Sequence, residues 1–197
     1  EAAIQEFLAL HGILHSKQVA TGSPWSYEDQ LLNALSDDDF RTIPSREEHS
    51  VAWIVWHLSR IEDVTMNILV ADRDQVFERG NWQKTIQSPF KHTGNGTGFE
   101  FTHALSQAVD LDALRTYRNA VGRATREIVQ SLQPKDLSRK ITHQQLQRIL
   151  DEGAVIPDAI GVVEYWGRRD VAGLLLMPPT RHTIIHWNEA RQLIEQL

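Results

Sequence analysis

The sequence predicts an all-α fold. Apolar residues recur every three or four positions in several long segments, which is the period of an amphipathic helix. No stretch alternates apolar and polar residues for long enough to predict a sheet, and no unit repeats with the roughly 30 to 40 residue period of helical solenoids. With 197 residues, of which 41% are hydrophobic and 23% charged, the chain can form one domain with a sizeable core. We therefore expect a single helical domain over residues 1–197.

The first half of the chain predicts three helices. The first two are expected over residues 2–18 and 27–35, and the acidic run 36–39 is expected to end the second. A long helix is expected over residues 45–74, because Ser45 is a suitable N-cap and the apolar residues after it follow a helical period. The apolar arc of this helix is wide, which indicates that most of its surface is buried.

Residues 80–102 are predicted to form a long flexible loop. Three glycines, Gly94, Gly96 and Gly98, lie close together in it. No strand precedes them and no Gly-Lys-Ser/Thr follows, so a phosphate-binding P-loop is not indicated. Because structureless segments of this length are often functional, we interpret the loop as a lid.

The second half of the chain predicts four helices. Three are expected over residues 111–132, 142–152 and 162–177, ended by Pro134, Gly153 and Pro178 respectively. Thr180 would then be the N-cap of the final helix.

That final helix carries the most informative pair in the sequence, His182 and His186. Their four-residue spacing places both imidazoles on one helix face, which continues through Glu189 and is typical of a two-point metal clamp. Two ordinary core or surface histidines would have the same spacing, so the pattern needs a third donor. His57 is the natural candidate, because it lies on the flank of the apolar arc of helix 45–74 and points into the protein.

A competing pair, His11 and His15, has the same spacing near the N-terminus. Gly12 weakens that helix, and no other histidine is predicted to face the pair, so a packed or surface role is favoured. Glu62 lies near the centre of the apolar arc of helix 45–74, where it is expected to be a structural ion-pair or hydrogen-bond acceptor. Four other histidines, His49, His92, His103 and His143, are interpreted as solvated or capping residues.

Composition excludes several classes of function. A formal charge of -6 and a pI near 5.8 argue against a nucleic-acid partner, and no apolar stretch reaches the roughly 20 residues needed to span a bilayer. The absence of cysteine removes disulfides and thiolate ligands, so a metal would be held by histidine and oxygen donors. The chain starts at Glu1 without a signal-like segment, so a cytoplasmic location is the default expectation, with a removed leader left open.

The segment from His49 to Asp63, His-Ser-Val-Ala-Trp-Ile-Val-Trp-His-Leu-Ser-Arg-Ile-Glu-Asp, followed far downstream by His182-x-x-x-His186, resembles the DinB-like (DinB/YfiT) superfamily of metalloenzymes. The resemblance covers most of the chain. Its specific part is one histidine in the second helix of the family and an HxxxH pair in the last long helix. His57, His182 and His186 occupy these positions, so the resemblance implies that they are the metal ligands.

The resemblance implies a four-helix bundle of the DinB/YfiT type, here with additional short helices and a long loop. It also implies an open site for a divalent metal, usually zinc or nickel, a small-molecule substrate and a homodimer. Some relatives are thiol S-transferases or mycothiol-dependent isomerases. Thiol S-transferase chemistry, with a low-molecular-weight thiol as co-substrate, is therefore the leading hypothesis, and Arg118 or Arg126 could pair with a carboxylate of that thiol.

Two alternatives stay open. In a hydrolase, Glu189 would be a catalytic proton acceptor or the hydrogen-bond partner of a ligand histidine. Peptidase chemistry is disfavoured, because the pair lacks the glutamate that follows the first histidine in HExxH proteases. The other alternative is a non-enzymatic bundle that binds metal or mediates dimerisation.

Overall fold

A computed structural model describes residues 2–197 and confirms the all-α fold. The helices of the first half are α1 (Ala2–Leu14), α2 (Tyr27–Leu32), α3 (Asp37–Arg41), α4 (Val51–Asp63), α5 (Val76–Arg79) and α6 (Trp82–Ile86). Those of the second half are α7 (Phe99–Ala108), α8 (Leu111–Ser131), α9 (His143–Asp151), α10 (Ile160–Gly167), α11 (Val171–Leu175) and α12 (Thr183–Ile194). Two π-helical stretches, Val64–Val70 and Met177–His182, extend α4 and precede α12. The described chain contains no strand, only one isolated bridge between Lys140 and Asp170.

The centre of the bundle is α4, which packs against α8 and α12, while α1 packs against α8. Every residue from Ser50 through Val70 is buried. The helix begins later than predicted, because the hydroxyl of Ser50, and not that of Ser45, accepts the hydrogen bond from the Trp53 amide at 2.9 Å. Its last two turns widen into a π-helix that ends at Val70.

Two apolar clusters divide the core along α4. The residues before His57 pack with α7, α12 and the first half of α8, and those after Asp63 pack with α9 to α11 and the second half of α8. Buried polar side chains lie where the two clusters meet, namely those of His57, Arg60, Glu62 and Asp63. Because a buried polar group needs a partner, this part of α4 organises the polar interactions of the interior.

Several predicted boundaries are wrong for local reasons. The first helix ends at Leu14 and the second at Leu32. The acidic run 36–39 begins α3, because Ser36 and Asp39 form a reciprocal capping box. The helix predicted over 162–177 breaks between α10 and α11, where the Asp170 side chain caps α11. The prediction over 111–132 agrees with α8 to within one residue.

Thr180 is not an N-cap. The π-helical stretch Met177–His182 continues directly into α12, and the Thr180 hydroxyl donates to the Leu175 carbonyl at 3.0 Å. Pro179, four residues after Leu175, lacks the N–H that would bond this carbonyl in an α-helix, and the Thr180 hydroxyl bonds it instead. The Thr183 hydroxyl donates to the Pro178 carbonyl at 3.2 Å.

The segment 80–102 is not a structureless loop. It contains α6 and the start of α7, and both Ile86 and Thr93 are fully buried. Gly94 has a φ of 86°, a conformation that favours glycine, and it lies against Trp53. The Thr93 amide donates to the Ala154 carbonyl at 2.9 Å. The segment is therefore a packed wall beside α4, which the prediction of a flexible lid missed. Of the helices in residues 2–197, none combines the length and apolar character that crossing a membrane requires.

Candidate metal centre

The structure brings His57, His182 and His186 together. His57 comes from the middle of α4, His182 ends the π-helical stretch, and His186 lies in the first turn of α12. One ring nitrogen of each lies within 4.8 Å of one from each of the others, and the Nε2 atoms of His57 and His182 are 3.2 Å apart. His57 is buried, and the other two side chains are partly exposed.

A backbone carbonyl orients His57. Its Nδ1 lies 2.6 Å from the Thr93 carbonyl oxygen, which can only accept a hydrogen bond. Neutral His57 therefore carries its proton on Nδ1, and the Nε2 lone pair faces His182. The packed segment around Thr93 thus sets the tautomer of a candidate ligand.

A carboxylate orients His186. Its Nδ1 donates to Glu189 Oε2 at 2.6 Å, three residues on in α12. The second oxygen of Glu189, Oε1, accepts from His49 Nδ1, also at 2.6 Å. Partial burial opposes ionisation of Glu189, but the hydrogen bonds from His186 and His49 lower its pKa to about 2. Glu189 is therefore an ionised bridge between two histidines at neutral pH.

Burial keeps the imidazoles of His57 and His182 uncharged. It lowers the pKa of His57 well below the usual range, and the neighbouring His182 and His186 lower it further. Burial likewise lowers the pKa of His182 to about 3, with smaller contributions from His186 and Arg118. Within the described chain, His182 Nδ1 is buried and has no hydrogen-bond partner. Both histidines can therefore present lone pairs at pH 7.

This donor set fits a divalent metal. Zinc–nitrogen bonds of about 2.0 to 2.1 Å place neighbouring ligand nitrogens of a tetrahedral site about 3.3 Å apart. The 3.2 Å between the Nε2 atoms of His57 and His182 is close to that value. Three imidazole ligands suit zinc, nickel, copper and iron alike, so the geometry does not select one metal.

His49 joins the same site, although it was interpreted as a solvated or capping residue. Its ring stacks on Trp53 with a centroid distance of 3.6 Å and an angle of 4°. Trp53 in turn stacks on His57 at 4.6 Å and 10°. The four-residue spacing of His49, Trp53 and His57 is the sequence signal for this stack. It was missed because the predicted helix began at Ser45 and gave His49 no special position.

The competing pair, His11 and His15, meets a carboxylate. Each Nε2 lies 3.0 Å from one oxygen of Glu62, and all three side chains are fully buried. Arg118 Nη1 donates to Glu62 Oε2 at 2.8 Å, and Arg118 Nε donates to Glu28 Oε2 at 3.3 Å. Glu62 is therefore a structural ion-pair acceptor, as predicted.

The arginine roles proposed from sequence are corrected by this network. Arg118 is fully buried and bonded within the protein, so it cannot pair with the carboxylate of a thiol. Arg126 donates from Nη1 to the Leu8 carbonyl at 2.7 Å, on the side of α8 that faces α1. Neither guanidinium contacts the three-histidine group.

Comparisons with known proteins agree with this fold. The crystal structure of a conserved protein from Enterococcus faecalis is similar to this chain with a TM-score of 0.65 and 13% identity, over 99% of this chain and 94% of that one. At this identity the similarity describes the fold alone. No curated protein matches the chain. The family model of the DinB superfamily matches residues 25–190, which is most of the sequence. The chain therefore belongs to the DinB superfamily.

Proposed function

We propose that the protein binds a divalent metal, zinc or nickel, through His57, His182 and His186 and uses it for thiol S-transferase chemistry. The observation that carries the metal site is the convergence of three imidazole nitrogens, two of them 3.2 Å apart, with no carboxylate among the donors. When bound, the metal supplies a Lewis acid that lowers the pKa of an S–H or O–H group placed against it.

The side chains around the three histidines hold them in place. The Thr93 carbonyl and the Glu189 carboxylate each accept the Nδ1 proton of one candidate ligand, which leaves the other nitrogen to bind. The sequence leaves two possible roles for Glu189, proton acceptor and hydrogen-bond partner. A pKa of about 2 and two occupied oxygens favour the second, because such a carboxylate is a weak base.

The nucleophile of the proposed reaction comes from outside the chain. The sequence contains no cysteine, so a sulfur nucleophile must be a low-molecular-weight thiol co-substrate. The partly exposed side of the site, at His186 and Glu189, leaves a route for that thiol and for a small electrophile. A reduced thiol co-substrate is consistent with a cytoplasmic location.

The partial exposure of His186 and Glu189 also admits water, so a metal-dependent hydrolase is the second candidate. The proposal also includes, from the family resemblance, one domain and a homodimer. Sedimentation equilibrium of the whole chain tests the homodimer, and a single cooperative unfolding transition by two spectroscopic probes tests the single domain.

Elemental analysis of gently purified, untagged protein tests the metal site, with His57→Ala beside it and the exposed His143→Ala as the matched control. We expect near-stoichiometric zinc or nickel in the wild type and in His143→Ala, and little in His57→Ala. Failure of the wild type to bind zinc or nickel even after reconstitution would refute the site.

The metal-loaded protein is then assayed with glutathione, cysteine and mycothiol against monobromobimane and 1-chloro-2,4-dinitrobenzene. We expect thiol-dependent turnover that the metal-free protein lacks. Hydrolysis of 4-nitrophenyl acetate without thiol dependence would replace the transferase with the hydrolase. A loaded protein without either activity would leave the metal-binding bundle.

A further inference from the structure

His49 is the one imidazole at the candidate metal centre that is neither a proposed ligand nor buried. Its Nδ1 donates to Glu189 Oε1 at 2.6 Å, and its side chain is 32% exposed. The same carboxylate holds His186 through its other oxygen. Glu189 therefore connects His49 directly to a candidate ligand, and His49 lies at the open side of the site.

The carboxylate also fixes the tautomer of His49. Glu189 Oε1 accepts the hydrogen bond from His49 Nδ1 at 2.6 Å, so the proton of a neutral His49 stays on Nδ1. Within residues 2–197 no hydrogen bond uses His49 Nε2. The face of the ring lies against Trp53, which fixes the plane of the imidazole, and the bond from Nδ1 to Glu189 fixes its orientation in that plane. A basic lone pair is thus held at a defined place, one indole ring away from His57.

We propose that His49 is the general base and acid of this site, an inference that rests on the proposed function. His49 Nε2 removes the proton from the S–H group of the thiol. The resulting imidazolium is stabilised by the Glu189 carboxylate on its other nitrogen. This pairing of an imidazole with a carboxylate is an established way to orient a catalytic histidine.

The proposed reaction moves one proton and forms one S–C bond. The S–H bond breaks and its electron pair stays on sulfur, while the proton moves to His49 Nε2. Sulfur then donates an electron pair to form the S–C bond with the electrophile, and the leaving group departs with the electron pair of its former bond to carbon. That leaving group takes the proton back from His49 Nε2. The net reaction converts R–SH and E–X into R–S–E and H–X, with no oxidant or reductant.

Other polar groups nearby are less suited to this role. Glu189 has both oxygens occupied by histidine donors. His92 accepts a hydrogen bond from the Gly94 amide at Nδ1 and packs against Phe101. Arg118 is fully buried beside Glu62 and His15. His49 alone among these residues combines partial exposure, a fixed tautomer and a link to a candidate ligand.

The first test needs no substrate. Long-range proton–nitrogen NMR spectra of the full-length protein with ¹⁵N-labelled histidine, metal-free and zinc-loaded, report which nitrogen of His49 carries the proton. We expect the Nδ1–H tautomer in the wild type and a larger share of Nε2–H in Glu189→Gln. His49→Asn assigns the signals. A wild-type His49 with its proton on Nε2 would overturn the proposal, because Nε2 would then have no lone pair to accept the thiol proton.

The second test compares turnover in His49→Asn and His49→Ala with that of the wild type and the exposed control His143→Asn. The asparagine amide can still donate to Glu189 but cannot exchange a proton. We expect kcat with glutathione and monobromobimane to fall by about 100-fold or more in both His49 variants, with metal content retained. Added imidazole should restore part of the rate in His49→Ala, because the surface of Trp53 is left free.

The outcomes separate the two proposals. A wild type that binds metal but shows no thiol-dependent turnover overturns the proposed function, and the role of His49 with it. An active wild type matched by an equally active His49→Asn overturns the role of His49 alone. Loss of metal from His49→Asn would instead assign His49 to support of His186, and would also overturn the proposal.

Discussion

Two histidine pairs in this protein have the same spacing and both contact α4, but the α4 side chain that each pair meets is different. His11 and His15 at the end of α1, and His182 and His186 at the start of α12, are both separated by four residues. Both pairs meet a side chain of α4. The α12 pair meets an imidazole, His57, whereas the α1 pair meets a carboxylate, Glu62, five residues further along the helix.

The difference lies in what neutralises each group. Around His57, ring nitrogens of three imidazoles converge, and no arginine or lysine of the described chain lies among them. Around Glu62, the guanidinium of Arg118 already bonds the carboxylate, and its Nη2 lies 3.2 Å from His15 Nε2. A second cation beside that buried guanidinium would be repelled strongly. Histidine spacing therefore identifies a cluster, and the charge of its surroundings decides whether the cluster suits a metal.

The largest expected effect comes from removing the internal cation. Arg118→Leu leaves Glu62 and Glu28 buried without their shared partner, and loss of one member of a buried ion pair typically costs about 3 to 5 kcal/mol. We expect the free energy of unfolding, measured by urea denaturation, to fall by about that amount. Arg123→Leu, five residues further along α8 and exposed, is the matched control and should change little. Equal stability of the two variants would show that Arg118 is not what neutralises this group.

The second prediction contrasts the two groups as metal sites. His57→Ala should weaken zinc binding by more than about 100-fold, since loss of a ligand should exceed the effect of losing a group that only orients one. His11→Ala should leave the affinity unchanged, because its group is already neutralised by Arg118. Competition with a chromogenic zinc chelator measures both. Equal weakening in the two variants would mean that the α1 group binds the metal.

Zinc removal from the three-histidine group should leave the fold intact. The helices rest on the apolar clusters on either side of the polar part of α4, so circular dichroism should change little on chelation. An unfolding transition on chelation would instead make the metal structural.

The fold could be predicted from sequence where local signals are strong. The period of apolar residues located α8 almost to the residue, and the absence of alternation correctly excluded a sheet. Helix ends were less predictable, because several side chains could act as caps and only tertiary packing selects among them. From sequence alone, Ser45 and Ser50 are equally suitable N-caps for α4. Ser50 is the N-cap in the structure, where it is fully buried and its hydroxyl also bonds Ser106 of α7.

The candidate site could be predicted only in part. Spacing and helix face led to His57, His182 and His186, which the structure brings together. The Thr93 carbonyl could not be foreseen, since a backbone group has no sequence signature and its segment was expected to be flexible. The partner of Glu62 was equally hidden, because Arg118 meets it across 56 residues of sequence. Long-range polar pairs follow from packing, not from periodicity.

Two glycines give a third way to separate the groups. A Cβ at Gly122 would lie 2.7 Å from His15 Nδ1 and 3.0 Å from Val19 Cγ1. Gly122→Ala should therefore destabilise the protein by about 1 to 3 kcal/mol through overpacking, without changing zinc affinity. Gly94→Ala should act on the other group, because its φ of 86° is strained for alanine and Gly94 adjoins the Thr93 carbonyl that orients His57. We expect weaker zinc binding in Gly94→Ala only. Weaker zinc binding in Gly122→Ala only would mean that the metal binds at His11 and His15 and not at His57.

The smallest predicted effect is a change in the pH dependence of stability. Burial lowers the pKa of His15 well below 6.5, and Arg118 lowers it further, whereas Glu62 opposes them. As the pH falls below 6.5, the unfolded chain therefore binds a proton at this position before the folded chain does, and the free energy of unfolding decreases.

His15→Gln keeps an amide donor for Glu62 but cannot titrate. Between pH 6.5 and 5 the wild type should lose up to about 1.4 kcal/mol per pH unit more than this variant, as measured by urea denaturation. The exposed His143→Gln should follow the wild type. If the free energy of unfolding of His15→Gln and that of the wild type change in parallel with pH, His15 takes up its proton in the folded state. Glu62 would then stabilise a protonated histidine in the buried group.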